Sequence, residues 1–147
     1  MVGQLMLLGL VFALSIPSIP HLAPQGPAES LAVLAGIGAV AIGGALVGKG
    51  IRGLGASLSP LPRPREGADL VQSGVYARIR HPIYAGLILA SLGWGTLTCS
   101  LPALGAAALL AVFLDAKARR EESWLLQHHD GYTEYKNRTK RFLPGIY

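Results

Sequence analysis

The run Ile83–Leu114, IYAGLILASLGWGTLTCSLPALGAAALLAVFL, is 32 residues long and contains no charged side chain. As one helix it would extend about 48 Å at ~1.5 Å per residue, which exceeds the roughly 30 Å hydrocarbon core of a bilayer. Ser100-Leu101-Pro102 lies near its middle, and proline is well suited to the start of a helix. The run therefore predicts a helical hairpin with arms at about 83–98 and 102–116 and with Cys99 at the turn.

The distribution of basic residues supports this hairpin. All 13 Lys and Arg fall in two clusters, six between Lys49 and Arg80 and seven between Lys117 and Arg141. Basic segments that flank membrane spans usually lie on the cytoplasmic side. Two cytoplasmic clusters require an even number of crossings between them, and the hairpin supplies two. Because the basic residues flank apolar spans, a nucleic-acid partner is disfavoured.

Two more spans are predicted at about 3–19 and 30–48, because residues 1–28 carry no Asp, Glu, Lys or Arg and Leu31–Gly48 is also uncharged. Charged residues make up 14% of the chain, against about a quarter in soluble domains. We therefore predict an all-α, multi-pass integral membrane protein with four spans, one domain over 1–147 and both termini cytoplasmic. A cytoplasmic loop would cover 49–82. The cytoplasmic tail, 117–147, would begin with a helix that continues from Asp115 to about His129.

Small residues in the second and third spans predict close helix packing. Gly44 and Gly48 form a GxxxG pair, which permits helices to approach closely within or between monomers. A similar stripe in the third span consists of Gly86, Ala90 and Gly93. The segment 36–41 also matches the dinucleotide fingerprint GxGxxA, but it lies inside an apolar helix without a preceding strand. A packing role is therefore favoured there.

The stretch RIRHPIYAG, residues 78–86, places polar groups at the start of the third span. Pro82 fits the first helical turn, so His81 lies near the N-cap, where free N–H groups and the helix dipole favour an anion. Arg80 adds a positive charge, and Tyr84 lies three residues from His81 on nearly the same helix face. Two interpretations stay open at this point, an interfacial anchor and a polar ligand site.

A second polar cluster, DAKARREESWLL, occupies residues 115–126. Glu121 falls on an otherwise apolar helix face, where a carboxylate needs a partner or a ligand. Glu122 is predicted to pair with Arg119 at i,i+3. The alternative is a solvated helix with ordinary ion pairs. The hairpin would bring four side chains to one membrane face: His81, Tyr84, Glu121 and Glu122.

Such a cluster offers three kinds of interaction with a ligand. Its cationic and N–H groups suit a carboxylate, its carboxylates suit an amine or ribose hydroxyls, and its aromatic rings suit an adenine or a sulfonium. The four histidines, at 21, 81, 128 and 129, lack a convincing metal-ligand spacing, so no metal is predicted.

These motifs resemble the isoprenylcysteine carboxyl methyltransferase and phospholipid methyltransferase group over about residues 70–147. The motifs are Gly74-Val75-Tyr76, Arg80-His81-Pro82-Ile83-Tyr84-Ala85-Gly86, Glu121-Glu122, Tyr132-x-x-Tyr135 and Arg141-Phe142-Leu143-Pro144. The resemblance implies S-adenosylmethionine binding beside a lipid-accessible tunnel, enclosed in part by the tail. The cofactor-binding residues that it implies are Tyr76, His81, Tyr84, Gly86 and Glu122. Arg80 would help to hold the site, and Glu121 would take the proton from an amine acceptor.

Two other functions remain as alternatives. Membrane sterol and steroid reductases, which use NADPH, share a similar RHP-x-Y pattern with a later EE. In that group Asn commonly follows the proline and an acidic residue often follows the glycine, whereas this chain has Ile83 and Leu87. A non-catalytic membrane scaffold would bind neither cofactor. The predicted acceptor is a lipophilic small molecule or membrane lipid, and both its identity and the oligomeric state stay open.

Overall fold

The computed structural model describes residues 2–21, 24, 26–55 and 70–147, and the regular structure of this part is helical. The predicted loop 49–82 therefore lies partly outside the described residues. Two 3-10 helices cover Ile16–His21 and Gly74–Ala77. The α-helices in chain order are α1 Val2–Ser15, α2 Pro27–Leu54, α3 Pro82–Leu97, α4 Leu101–His128 and α5 Tyr132–Arg138.

Local capping signals determine where α3 and α4 begin. Helix α3 starts at Pro82, with His81 at the N-cap position. Helix α4 has Ser100 as its N-cap, and the Ser100 hydroxyl accepts a hydrogen bond of 3.3 Å from the Ala103 N–H. Cys99 lies exposed in the turn between the two helices with a φ of 47°. The turn at Ser100-Leu101-Pro102 was thus predictable from the sequence.

Helix α4 is long enough to reach well beyond its predicted span. It runs without interruption for 28 residues from Leu101 to His128, about 42 Å at ~1.5 Å per residue. The expected continuation of the helix to about His129 is confirmed. Glu121 and Glu122 therefore lie on the same continuous helix as the apolar residues of 102–116.

In the part of the chain that the structure describes, two helices, α2 and α4, are long and apolar enough to cross a membrane. Helices α1 and α3 are apolar but shorter, with 14 and 16 residues. These features are consistent with an all-helical membrane protein. The number of spans and the orientation of the termini stay predictions.

Glycines that recur every seven residues bring α2 against α3. A Cβ atom at Gly43 would lie 2.6 Å from the Gly86 carbonyl oxygen, and one at Gly36 would lie 2.6 Å from the Leu97 nitrogen. Gly50 meets Ile83 in the same way, so the two helices are antiparallel. A seven-residue repeat keeps one helix face in register with its neighbour over several turns.

The prediction that Gly44 and Gly48 form a close helix contact is wrong for contacts within the described chain. A Cβ atom at Gly44 or Gly48 would meet nothing within 4 Å. The stripe in α3 is confirmed, since Gly86 and Gly93 both pack against the backbone of α2. The contact face follows the seven-residue spacing, which places Gly44 and Gly48 away from α3.

We expect Gly43→Ala to destabilise the protein by about 1–3 kcal/mol, because its methyl group would overlap the backbone of α3. Gly44→Ala is the matched control, since the same methyl group enters open space one residue away. Thermal unfolding in detergent compares the two variants. Equal melting temperatures for the two would contradict the packing described for α2 and α3.

Candidate functional site

The chain after α5 folds back onto the start of α3. Ile79 and Lys140 form an isolated parallel bridge. The Arg80 N–H donates to the Lys140 carbonyl at 2.8 Å, and the His81 N–H donates to the Arg141 carbonyl at 3.1 Å. Residues 139–147, called the C-terminal segment below, are therefore anchored beside His81 by the backbone itself.

Glu122 is a buried carboxylate held by two arginines. It is 2% exposed. Its Oε1 accepts hydrogen bonds from Arg80 Nε at 3.0 Å and Arg141 Nε at 3.1 Å, and its Oε2 accepts one from Arg141 Nη2 at 3.1 Å. Arg80 also donates from Nη1 to the carbonyls of Lys136 and Thr139. The ion pair therefore ties α4 to the start of α3 and to the C-terminal segment.

The predicted pair between Glu122 and Arg119 is wrong. Arg119 Nε donates instead to Asp115 Oδ2 at 2.7 Å, and Arg119 Nη2 donates to the Tyr147 hydroxyl at 2.7 Å. The Arg119 side chain is 60% exposed, whereas the Glu122 side chain is 3% exposed. The two residues are neighbours on α4, but the Glu122 side chain turns to the buried guanidinium groups of Arg80 and Arg141, whereas Arg119 turns to Asp115 and Tyr147.

His81 lies in an aromatic enclosure with one ring nitrogen unsatisfied. Its ring stacks on Tyr84, with centroids 5.3 Å apart and planes 7° apart, and its edge faces Phe142 at 6.2 Å. Nε2 lies 3.3 Å from Glu122 Oε1, but it is buried and makes no well-directed hydrogen bond. A buried polar atom without a hydrogen bond marks a place where a ligand group can be accommodated.

Glu121 lies on the neighbouring side of the cluster and is less buried than Glu122. The Tyr84 hydroxyl donates to Glu121 Oε1 at 2.7 Å, and His81 Nδ1 lies 3.8 Å from Oε2. Lys117 Nζ is 3.9 Å from Oε1 and also lies over the Tyr84 ring. These contacts place a carboxylate, a phenol and an ammonium group around the His81 ring.

The two adjacent carboxylates have pKa values shifted in opposite directions, and both lie beyond the predicted span 102–116. Burial raises the pKa of Glu121 above its ordinary value, although Tyr84, His81 and Lys117 partly oppose the shift. Burial would also raise the pKa of Glu122, but His81, Arg141 and Arg80 outweigh burial and hold it well below its usual range. The charged form is therefore disfavoured at Glu121 and favoured at Glu122.

The structure brings five of the seven predicted site residues together: Arg80, His81, Tyr84, Glu121 and Glu122. Tyr76 and Gly86 make their contacts elsewhere. The Tyr76 hydroxyl donates to the Gly50 carbonyl at 3.2 Å, and the side of Gly86 that a side chain would occupy faces Gly43 and Val47 of α2. Both residues therefore act in packing α2 onto the segment that carries the cluster.

Three partners in the cluster were not predicted from the sequence. Lys117 lies four residues before Glu121, a spacing that predicts contact on a helix. Arg141 lies within a recognised motif, but its bidentate contact with Glu122 required the fold. Tyr147 carried no signal, yet its hydroxyl accepts a hydrogen bond from Arg141 Nη1 at 2.8 Å and donates to Asp115 Oδ1 at 3.1 Å. Among the described residues, no group of three or more His, Cys, Asp or Glu could hold a metal ion.

Comparisons with known proteins give partial matches at modest identity. The chain is 36% identical over 83 residues to the cobalt-zinc-cadmium resistance protein CzcN of Cupriavidus metallidurans, covering 56% of this chain and 38% of that protein. It is 39% identical over 80 residues to the protein-S-isoprenylcysteine O-methyltransferase of Homo sapiens, covering 52% of this chain and 28% of the human protein. The chain thus spans well under half the length of both relatives.

A family model extends over more of the chain than either relative. The model for phospholipid methyltransferase matches residues 31–131. This range contains most of α2, all of α3 and α4, and all five clustered residues. The match covers more than half of the chain, and the chain belongs to the phospholipid methyltransferase family.

Proposed function

We propose that the chain is an S-adenosylmethionine-dependent methyltransferase that acts on a lipophilic acceptor, an isoprenoid or lipid-like molecule, at the membrane face. The observation that carries this proposal is the cluster of His81, Tyr84, Glu121 and Glu122 where α3 begins and α4 leaves its apolar part. Family membership supports the reaction class, and the name of the human relative supports a lipophilic acceptor.

The chemistry of the cluster fits this cofactor. The buried His81 Nε2 makes no well-directed hydrogen bond and lies beside the Glu122 carboxylate, so it suits a ligand hydroxyl rather than a second carboxylate, and the rings of His81 and Tyr84 form an aromatic wall. Glu121 provides a carboxylate that is not bonded to a guanidinium. In this proposal His81, Tyr84 and Glu121 face the cofactor. Glu122 acts as a positioning residue, because both of its oxygens are already occupied by arginines.

When bound, S-adenosylmethionine supplies a reactive methyl group on a sulfonium. The chain must orient donor and acceptor and exclude water. Phe142 and the C-terminal segment, anchored beside His81, provide part of that enclosure. Glu121, whose pKa is raised, takes the proton if the acceptor is an amine. A carboxylate or thiolate acceptor requires no such base.

The outer surfaces of the long helices support a lipid-borne acceptor. Exposed apolar side chains on α2 and α4 include Leu31, Leu34, Ile37, Ile42, Leu109 and Val112. An acceptor dissolved in the bilayer could therefore reach the cluster along a surface that suits its chain.

Calorimetric titration of the purified protein in detergent tests the proposal. We expect S-adenosylmethionine and its demethylated product to bind, and His81→Ala to weaken binding about tenfold or more through loss of a buried hydrogen bond and a ring contact. His129→Ala is the control, since His129 lies outside the cluster. Binding of NADPH instead would favour the reductase, and a folded protein that binds neither cofactor would contradict both enzymatic functions.

A further inference from the structure

A cavity lies between the end of α2 and the segment that precedes α3. Its volume is about 630 Å³, within the usual range for small-molecule sites. Its walls come from residues 46–53 of α2, residues 73–79 and Pro144 of the C-terminal segment. None of the five clustered residues lines this cavity.

Three cationic side chains from two separate segments converge on the cavity. Lys49 and Arg52 come from the last turns of α2, and Arg78 comes from the chain before α3. Each is exposed, and no ion pair joins any of them to another residue in the described ranges 2–21, 26–55 and 70–147. The same ranges supply no carboxylate to the cavity wall.

Three nearby arginines that do not line the cavity have carboxylate partners. Arg80 and Arg141 pair with Glu122, and Arg119 pairs with Asp115. Clustered like charges repel one another unless an anion lies between them. The dipole of α2 favours a cation such as Arg52 near the C-terminal end of the helix. Arg78 belongs to another segment, where this dipole does not explain its position. Three cations around one cavity, none of them paired with a described residue, therefore indicate an anionic ligand.

The position of the cavity indicates that the anionic group of this ligand is a phosphate. The cavity lies at the end of the long apolar helix α2, where the first cluster of basic residues begins. Phosphate groups of anionic lipids occupy this depth and attract basic side chains. Arginine guanidinium groups match phosphate oxygens in geometry as well as charge.

We propose that this cavity binds a phosphate group, presented by the headgroup of an anionic lipid or by a soluble phosphate ester, separately from methyl transfer. Lys49, Arg52 and Arg78 would contact the phosphate oxygens. The site would hold the start of α3 at a defined depth, because Arg78 directly precedes the bridged residue Ile79.

The test measures binding of three probes to the full chain in detergent: dihexanoyl phosphatidylglycerol, dihexanoyl phosphatidylcholine and glycerol 3-phosphate. We expect phosphatidylglycerol to bind about tenfold or more tightly than phosphatidylcholine. Arg52→Gln/Arg78→Gln should remove that preference. Arg120→Gln/Lys140→Gln, which removes two exposed charges that do not line the cavity, should keep it. Arg52→Lys/Arg78→Lys retains the charge and should keep part of the preference, with thermal unfolding as the check on folding.

The outcomes distinguish a lipid headgroup from a soluble phosphate ester as the source of the phosphate group. Equal binding of glycerol 3-phosphate and phosphatidylglycerol supports a phosphate site with a soluble ligand, whereas a requirement for the acyl chains supports a lipid. Equal losses in the cavity variant and the control variant would overturn the proposal, because the effect would then be general electrostatics. No preference for phosphatidylglycerol in the wild-type chain would overturn it as well.

Discussion

We expect Glu122→Gln to lower the free energy of unfolding by about 3–5 kcal/mol, because it breaks a buried ion pair. The change leaves the Arg80 guanidinium without a carboxylate partner and leaves Arg141 with Asp115 alone, and the side chains of Arg80 and Arg141 are only 8% and 13% exposed. It also removes the shared anchor of α4, the start of α3 and the C-terminal segment. Chemical or thermal unfolding in detergent measures the loss, and cofactor binding should fall with it.

Glu134→Gln is the matched control, since Glu134 is exposed on α5 and its loss should change stability by less than about 0.5 kcal/mol. The pH dependence of the free energy of unfolding gives a second test of the Glu122 ion pair. Because the pKa of Glu122 is lowered on folding, its stabilisation is fully present above its ordinary value of about 4.5 and is lost as the pH falls through the lowered value. Glu122→Gln should lack this loss of stability at acidic pH. Similar stabilities for the two variants would refute the buried ion pair.

The second large effect concerns catalysis rather than stability. We expect Glu121→Gln to reduce the rate of methyl transfer to an amine acceptor by about 10²–10⁴-fold, because the variant has no group to accept the proton. The raised pKa means that folding disfavours the charged form of Glu121, so stability falls as the pH rises through that pKa. Replacing the carboxylate by a neutral amide should therefore leave stability at neutral pH unchanged or improved.

Assays with two classes of acceptor separate this role from a structural one. Phosphatidylethanolamine presents an amine, and a prenylated cysteine analogue presents a carboxylate, which needs no base. We expect Glu121→Gln to slow the first reaction far more than the second, with S-adenosylmethionine binding largely retained. Full activity of the variant on an amine acceptor would remove Glu121 from the mechanism.

The features that could be predicted from the sequence depend on local rules. Pro82 and Ser100-Leu101-Pro102 indicate helix starts through capping and proline geometry, and both helices begin there. Given the hairpin, the convergence of His81 with Glu121 and Glu122 follows, because the start of one arm meets the end of the other. The stacking of His81 on Tyr84 follows in turn from their three-residue spacing.

The features that could not be predicted depend on contacts between distant segments. The i,i+3 spacing predicts that Glu122 pairs with Arg119 on its own helix, but its partners come from the start of α3 and from the C-terminal segment. Likewise, Gly44 and Gly48 match a familiar packing motif, whereas α3 packs on Gly36, Gly43 and Gly50. Residue spacing identifies which side chains share a face but not which face meets a neighbour.

The side-chain partners of Arg80 have a consequence for how the protein is made. Its hydrogen-bond acceptors lie 42, 56 and 59 residues further along the chain, at Glu122, Lys136 and Thr139. During synthesis, helix α3 is therefore complete long before the charge at its start can be neutralised. The ion pairs of the cluster can form only after Glu122 and Arg141 have been synthesised and the C-terminal segment has reached Ile79. Formation of helix α3 and completion of the cluster are consequently separate steps in time.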